Sequence, residues 1–217
     1  MPYIRLMRTN QWIKNVFLLA GLGFGRELLE PQRDIEVVLG FACFCLVSSA
    51  VYVLNDIHDR NEDRLHPVKK NRPIAAGLVP VPAAFALAIL LLLIGLGGAF
   101  ALDRGFFLTA CVYLILQLLY THWLKHVTVL DVIMIGMGFV LRAVAGAVLV
   151  HVAISPWLVL CTFTLCLFMG FSKRRCELYA LNGTAAGDAS RHRKTLAEYT
   201  PELLNHMTTL TAGIAVV

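Results

Sequence analysis

Charged residues are scarce in this sequence. Of its 217 residues, 15% are Asp, Glu, Lys or Arg and 58% are hydrophobic, and the mean hydropathy is +0.71. Soluble domains carry roughly 25% charged residues, so this composition argues against an ordinary water-soluble domain. The net charge of +5 is not gathered into one continuous basic stripe, and we therefore expect no nucleic-acid partner.

Several motifs that define common function classes are missing as well. The six cysteines show no Cys-x-x-Cys spacing, so we predict neither a disulfide framework nor a zinc site. The sequence contains no Walker loop and no nucleophile elbow. Gly21-Leu-Gly23-Phe-Gly25 lies in an apolar run, without the strand that a dinucleotide-binding loop requires. The chemistry must therefore lie in the few polar segments.

Long apolar runs, by contrast, are abundant. Five of them approach the roughly 20 residues that a helix needs to cross a bilayer, and they lie at about 35–54, 83–102, 106–124, 128–150 and 154–171. A shorter run covers 12–25, and residues 200–217 have the pattern of the start of a further helix. We predict an all-α, polytopic transmembrane helical bundle with six spans and part of a seventh. It would form a single domain over residues 1–217, truncated at the C-terminus.

The distribution of basic residues predicts the orientation in the membrane. With the run at 12–25 as the first span, most of the 19 Lys and Arg residues fall on the side of the N-terminus and of every second loop. Basic loops remain in the cytoplasm, so we predict an integral, multi-pass protein of the cell (inner) membrane. The two large polar loops, 55–82 and 172–198, then lie on the cytoplasmic side.

The first of these loops begins with Asn55-Asp56-Ile-His-Asp59-Arg-Asn-Glu-Asp63. Asp56, Asp59 and Asp63 stand at i, i+3 and i+7, so a helix would project all three from nearly one face. Carboxylates this close repel one another unless a cation lies between them. Oxygen ligands favour Mg²⁺, which binds through a few carboxylates and substrate phosphates. The motif therefore predicts a Mg²⁺ site at the end of an apolar helix.

A basic segment follows the aspartates directly. Guanidinium and ammonium groups suit phosphate oxygens, and the segment contains Arg64, His66, Lys69, Lys70 and Arg72. Acidic groups for a metal and basic groups for phosphates, placed beside a membrane, indicate an enzyme that handles a diphosphate. The alternative is a solvated, salt-bridged loop between two helices.

Further charged residues lie at or within the apolar runs. Lys125 closes a span at the cytoplasmic border, where it either reaches a phosphate or extends to the membrane interface. Asp131 and Arg142 lie inside one span, where ionisable groups are costly and usually face a polar cavity. The alternative is a structural charge satisfied by a neighbouring helix. Lys173 and Arg174 are expected from the orientation alone, yet they could also complete a phosphate site.

The aspartate motif and Arg72-Pro73-Ile-Ala-Ala-Gly77 together resemble the first signature of the UbiA-type intramembrane prenyltransferases. The likeness runs along essentially the whole chain and is strongest to the branch that transfers a phosphoribosyl group. The local features that carry it are Gln11-Trp12-x-Lys14-Asn15, Arg64-Leu-His66-Pro67-x-Lys69, Leu124-Lys125-His126 with Asp131, and Lys173-Arg174-Arg175-x-Glu177. Two features depart from the family. The chain has fewer spans than is typical, and Ser172-Lys-Arg-Arg-Cys-Glu177 stands where many members carry a second aspartate motif.

The resemblance implies a Mg²⁺-dependent membrane transferase that works at the cytoplasmic face. It would move 5-phosphoribosyl from phosphoribosyl diphosphate to a polyprenyl (decaprenyl-type) phosphate, releasing diphosphate and forming a lipid-linked precursor for the cell envelope. Asp56, Asp59 and Asp63 would be the catalytic, metal-binding set. The residues implied in substrate binding are Asn55, Arg64, Lys69, Arg72, Lys125, Lys14, Lys173, Arg174, Asp131 and Arg142.

Two other functions compete with this one. A prenyltransferase that moves a polyprenyl group from its diphosphate to an aromatic or other small acceptor would use the same aspartates and metal. A lipid-binding or transport protein would place its polar groups near the bilayer midplane on broken helices. This chain gathers its charge at one rim instead, which favours catalysis there. Homo-oligomers are compatible with each of these functions.

Overall fold

The computed structural model describes residues 1–19, 31–182 and 198–216, and within these ranges every regular element is helical. The α-helices are α1 Pro2–Met7, α2 Pro31–His58, α3 Arg60–Leu65, α4 Val81–Leu102, α5 Arg104–His122, α6 Leu130–Leu149, α7 Pro156–Asn182 and α8 Pro201–Val216. The described ranges also contain three 3₁₀ segments, at Thr9–Leu19, Lys69–Asn71 and Leu124–His126. The predicted all-α class is confirmed.

Five of the described helices are long and apolar enough to cross a membrane, and they are Ile35–His58, Val81–Leu102, Arg104–His122, Leu130–Leu149 and Pro156–Tyr179. They correspond to the five long apolar runs of the sequence. The first predicted span, at 12–25, is described only as far as Leu19, as a 3₁₀ segment, and its remainder lies outside the described residues. The helix Pro201–Val216 occupies the predicted start of a further helix. The count of six spans and part of a seventh stays a prediction.

Local sequence signals explain where the helices begin. Three of the long helices open with proline, whose fixed φ suits the first turn and whose missing N–H is not needed there. Asp103 accepts a hydrogen bond from the backbone N–H of Phe106 at 2.7 Å and so caps α5. Thr200 accepts one from the N–H of Leu203 at 3.2 Å and caps α8 in the same way. Each cap satisfies a donor that the first helical turn leaves open.

The chain divides into two compact units, and the boundaries fall inside α5, inside α6 and just before α7. One unit comprises Met1–Leu118 with Leu141–Ile154, and the other comprises Leu119–Val140 with Ser155–Val217. Each unit has its own buried core and its own polar cluster. The prediction of a single domain stays a prediction.

The main core of the first unit forms where α2 packs along α4. Gly95 permits this close approach, because a Cβ there would lie 2.9 Å from Cγ2 of Val47 and 3.0 Å from the carbonyl oxygen of Cys43. Phe44 is fully buried, and its ring centroid lies 4.8 Å from that of Tyr113 on α5, with the two rings tilted by 49°. Small residues thus bring the helices together, and aromatic side chains fill the space between them.

A smaller core in the same unit anchors the segments around the aspartate motif. Its buried members come from α1, α2, the loop before α4, and α4 itself, and they are Leu6, Val53, Ile74, Val79, Ala84 and Ala88. The loop turns at Gly77, whose φ of +73° favours a residue without a Cβ. This core therefore fixes both α1 and the loop that begins at Arg72 against α2.

The second unit has a separate core between α6, α7 and α8, with Val132, Phe171, Tyr199 and Leu204 as its buried members. Helix α8 packs against α7. Gly136 lets α6 approach α7 closely, since a Cβ there would lie 3.2 Å from the ring of Phe163. This glycine of α6 thus acts in helix packing.

Candidate active site

The aspartate motif follows a nearly helical path across the junction of α2 and α3. The backbone N–H of Asp59 donates to the carbonyl of Asn55 at 2.9 Å, and that of Asp63 donates to the carbonyl of Asp59 at 2.8 Å. Asp56 lies in the last turn of α2, Asp59 lies between the helices, and Asp63 lies on α3. The predicted helical spacing therefore survives the break between the two helices.

Arg72 joins two of the three carboxylates. Its Nη1 donates to Oδ1 of Asp56 at 3.2 Å and to Oδ2 of Asp63 at 2.7 Å. Arg8, from the C-terminal end of α1, donates from Nη2 to the same Oδ1 of Asp56. Both aspartates are 2% exposed, so their charges need cationic partners inside the protein. Two carboxylates and two guanidinium groups balance one another here.

Asp59 makes a different contact, because its Oδ2 accepts a hydrogen bond from Nδ2 of Asn55 at 3.0 Å. Across the described ranges, no three His, Cys, Asp or Glu side chains lie close enough to hold a metal ion among themselves. The structure thus gathers Asp56 and Asp63 around Arg72 and pairs Asp59 with Asn55. The assignment of all three aspartates to one metal stays a prediction.

The chemistry of the aspartate pair fits Mg²⁺ shared with a substrate. Among the described residues, none donates a hydrogen bond to Oδ2 of Asp56 or to Oδ1 of Asp63, since the arginines use the other oxygen of each. Mg²⁺ usually takes one or two carboxylates, waters and substrate phosphates rather than a cage built by the protein alone. These two carboxylates match that requirement.

The basic loop residues shape the segment that carries Arg72. Nε of Arg64 donates to the carbonyl of Ala75 at 3.2 Å, which ties α3 to the loop. Nδ1 of His66 accepts the backbone N–H groups of Val68 at 3.1 Å and of Lys69 at 3.3 Å. The side chains of Arg64 and His66 therefore hold the loop in place.

The N-terminal 3₁₀ segment lies along α2 through polar contacts. Nε1 of Trp12 donates to the hydroxyl of Ser49 at 2.9 Å, and that hydroxyl donates to the carbonyl of Met7 at 2.9 Å. Nδ2 of Asn15 donates to the hydroxyl of Ser48 at 3.0 Å. Lys14, a predicted substrate contact, is exposed on this segment. These bonds set the position of the residues just before them, including the arginine that reaches Asp56.

Arg142 is buried in the first unit at 4% exposure. Its Nε donates to Oδ1 of Asn15 at 2.8 Å, its Nη2 donates to the hydroxyl of Tyr113 at 2.8 Å, and the guanidinium lies 4.8 Å from the Tyr113 ring centroid. Neighbouring elements thus satisfy this group, which was one of the two alternatives for it. Its role in substrate binding stays a prediction.

Asp131 belongs to a network in the second unit. Nε of Arg174 donates to its Oδ2 at 3.0 Å, and the hydroxyl of Tyr199 donates to its Oδ1 at 2.6 Å. The same hydroxyl accepts the backbone N–H of Val129 at 2.8 Å, and Nη1 of Arg174 donates to Oε2 of Glu177 at 2.8 Å. Burial, and after it the hydrogen bond to Asp131, raise the pKa of the Tyr199 phenol. The network leaves little bonding capacity for a ligand.

The remaining predicted phosphate contacts are more accessible. The Lys173 side chain is 74% exposed and lies 3.9 Å from Glu177. Lys69 and Lys125 are partly exposed, each in a short 3₁₀ turn. Among the predicted cations of the second unit, Lys173 is thus better placed for a soluble or lipid phosphate than the buried Arg174.

Sequence reasoning missed Arg8 and Tyr199. Arg8 counted only as one of the basic residues that orient the chain, although polar Trp12 and Asn15, with Ser48 and Ser49 inside an apolar helix, hint that the two segments pack together. Tyr199 is an isolated tyrosine after a polar stretch of sequence, and no local pattern connects it with Asp131.

Residues 16–214 match the model of the UbiA prenyltransferase family. The chain belongs to this family. A decaprenyl-phosphate phosphoribosyltransferase of Corynebacterium glutamicum is 39% identical over 98% of this chain and 64% of its own length. The protein of the same name in Mycolicibacterium smegmatis is 38% identical over 99% of this chain and 67% of its own length. The chain therefore spans about two thirds of these curated relatives.

The fold of the family is also recognised in a solved structure. A UbiA homolog from Archaeoglobus fulgidus, bound to GPP and Mg²⁺, has a TM-score of 0.81 at 23% identity and covers 100% of this chain and 75% of that one. The resemblance to the UbiA-type family of membrane transferases, made from the aspartate signature, is thereby confirmed.

Proposed function

We propose that this protein transfers 5-phosphoribosyl from phosphoribosyl diphosphate to a polyprenyl phosphate of the decaprenyl type, with Mg²⁺, at the cytoplasmic face of the inner membrane. The observation that carries the proposal is the 39% identity, over 98% of this chain, to a decaprenyl-phosphate phosphoribosyltransferase. The bond between the anomeric carbon and the diphosphate oxygen breaks, and a bond from the same carbon to an oxygen of the acceptor phosphate forms. Diphosphate leaves with the electron pair.

The acid–arginine cluster of the first unit supports this reaction. Asp56 and Asp63 would hold Mg²⁺ through the oxygens that the arginines do not use, with Asp59 as the third predicted ligand. When bound, Mg²⁺ would supply positive charge at the departing diphosphate. Arg72 keeps the two carboxylates together, and its side chain is 25% exposed, so it can also donate to phosphate oxygens. Charge already in place around a leaving group lowers the barrier without reorganisation.

The acceptor needs little activation, because a phosphate monoester is an anionic nucleophile at neutral pH. The protein's task is then to hold donor and acceptor in line, which by itself accelerates a reaction between two bound molecules. Lys125 and the exposed Lys173 remain phosphate contacts predicted from the sequence alone. The polyprenyl tail would lie among apolar side chains such as Leu93 and Leu108, which are 68% and 61% exposed on the spanning helices.

A transfer assay tests the proposal. Purified protein in nanodiscs receives labelled phosphoribosyl diphosphate, a polyprenyl phosphate and Mg²⁺, and the lipid fraction is examined for label with and without EDTA. We expect a labelled lipid that EDTA abolishes. Transfer from a polyprenyl diphosphate to an aromatic acceptor, without labelled lipid, would keep the family and overturn the substrate. Polyprenyl phosphate binding without either reaction would favour a lipid-binding or transport protein.

A further inference from the structure

Arg8 contacts the aspartate cluster although it stands 48 residues before Asp56 in the chain. We infer that Arg8 binds the diphosphate at this site, so that the N-terminal segment forms part of the active site. The inference rests on the proposed function, because it takes the diphosphate group as the ligand of the aspartate cluster. It adds a residue that the aspartate signature does not contain.

The backbone holds Arg8 in an uncommon conformation. Arg8 ends α1 with φ 51° and ψ 50°, in the left-handed region that side chains other than glycine seldom adopt. Such conformations persist where the surrounding structure enforces them, and they cluster at functional sites. In this conformation the guanidinium reaches Asp56 and lies 5.1 Å from the ring centroid of Tyr52, one turn earlier on α2.

Contacts on both sides of Arg8 fix its position. Before it, Leu6 is fully buried in the small core around the loop. After it, Trp12 is bonded to Ser49, whose hydroxyl also donates to the carbonyl of Met7. Ser49 and Asp56 are two helical turns apart on α2 and therefore lie on the same face. The N-terminal segment thus packs along the face of α2 that presents Asp56.

The charge balance of the cluster explains why a second arginine is useful. Asp56 and Asp63 are compensated by Arg8 and Arg72. A diphosphate that enters with one Mg²⁺ brings further negative charge, and guanidinium groups offer several donors in a planar fork. The Arg8 side chain is 23% exposed, and it has N–H donors beyond the one that contacts Asp56.

Arg8 could instead serve only to neutralise the buried Asp56. The two roles differ in what they predict. A purely structural arginine would affect stability and would affect both substrates alike. An arginine that contacts the diphosphate would selectively affect ligands that carry this group.

The experiment compares Arg8→Ala and Arg8→Lys with wild type in nanodiscs. Alanine keeps a Cβ, and therefore the left-handed backbone cost, so the change isolates the guanidinium. Arg5→Ala is the matched control, because Arg5 is an exposed arginine on the same short helix. The readouts are the Kd of inorganic diphosphate with Mg²⁺ by calorimetry, the KM of each substrate, and the midpoint of thermal unfolding.

We expect Arg8→Ala to weaken diphosphate binding at least about 10-fold, equivalent to about 1.4 kcal/mol, with the KM for polyprenyl phosphate unchanged. Arg8→Lys should fall between Arg8→Ala and wild type, and Arg5→Ala should match wild type. If Arg8→Ala does not fold, Arg8→Gln replaces it with the same expected loss. Unchanged diphosphate binding, or an equal rise of both KM values, overturns the inference. Because binding is measured without turnover, a wild type that binds diphosphate but transfers no label contradicts the proposed reaction alone.

Discussion

Each compact unit of the chain contains a buried cluster of aspartate and arginine, and the two clusters differ in how much of their bonding capacity is already used. In the first unit, Arg8 and Arg72 form ion pairs with Asp56 and Asp63. The side chains of the two arginines are 23% and 25% exposed. In the described residues, one oxygen of each carboxylate has no hydrogen-bond donor. Each of these two carboxylates therefore keeps one oxygen that could serve as a ligand for a cation.

In the second unit the corresponding groups are buried, and their hydrogen-bonding capacity is already used. Both oxygens of Asp131 accept hydrogen bonds, from Arg174 and from Tyr199, and the Arg174 side chain is only 6% exposed. Removing one member of such a pair leaves an uncompensated buried charge. Aspartate and arginine thus suit ligand binding where some of their hydrogen-bonding groups are unused. They suit stability where every such group already has a partner.

The largest expected effect is on catalysis, in the first unit. We expect Asp56→Asn to lower kcat/KM for phosphoribosyl diphosphate by at least about 100-fold, because it removes charge from the centre that stabilises the leaving group. Its effect on stability should be modest, since Arg8 and Arg72 can both reach solvent. Glu62→Gln is the control, because Glu62 is an exposed acid on the same stretch of chain.

Activity within a few fold of wild type for Asp56→Asn would contradict the placement of the reaction at this cluster. A large loss of unfolding free energy, with the residual activity proportional to folded protein, would place this aspartate with the structural group instead. Either result would remove the difference between the two clusters.

The first cluster could be predicted from sequence largely because its parts are local. Asp56, Asp63 and Arg72 lie within one short segment, and the helical spacing that relates the aspartates is visible as a pattern of residues. The apolar runs likewise predict the spanning helices, since a bilayer imposes their length. The local pattern and the length of each apolar run can both be read directly from the chain.

The remaining contacts depend on tertiary packing, which no short pattern encodes. Arg8 meets Asp56 across 48 residues, and Tyr199 meets Asp131 across 68. A basic residue near a span also has an explanation in the orientation of the chain, so Arg8 and Arg174 could not be told apart by sequence. The structure distinguishes them by exposure and by the number of bonds that each partner accepts.

A second prediction concerns stability in the second unit. We expect Asp131→Asn to lower the free energy of unfolding by roughly 3 kcal/mol, because the buried Arg174 loses a carboxylate and cannot reach water. The KM for phosphoribosyl diphosphate of the folded variant should stay near that of wild type. Thermal and denaturant unfolding in detergent measure the first quantity, with Glu202→Gln, an exposed acid at the start of α8, as the control. A selective rise in KM with unchanged stability would instead support the substrate role that the sequence suggested for Asp131.

The smallest effect, and the one that depends on pH, comes from the hydroxyl of Tyr199. Tyr199→Phe removes a donor to Asp131 and an acceptor for the N–H of Val129. It should lower the free energy of unfolding by about 1–2 kcal/mol near neutral pH.

The folded protein raises the pKa of the Tyr199 phenol above its ordinary value of 10.0. Above pH 10 the unfolded chain therefore loses a proton that the folded protein keeps, and the free energy of unfolding falls as pH rises. The advantage of wild type over Tyr199→Phe should consequently shrink above about pH 10, whereas Tyr3→Phe, at a 45% exposed tyrosine, should track wild type throughout. Equal stabilities of wild type and Tyr199→Phe at every pH would mean that Tyr199 contributes packing alone, and the second cluster would then depend on the Asp131–Arg174 pair.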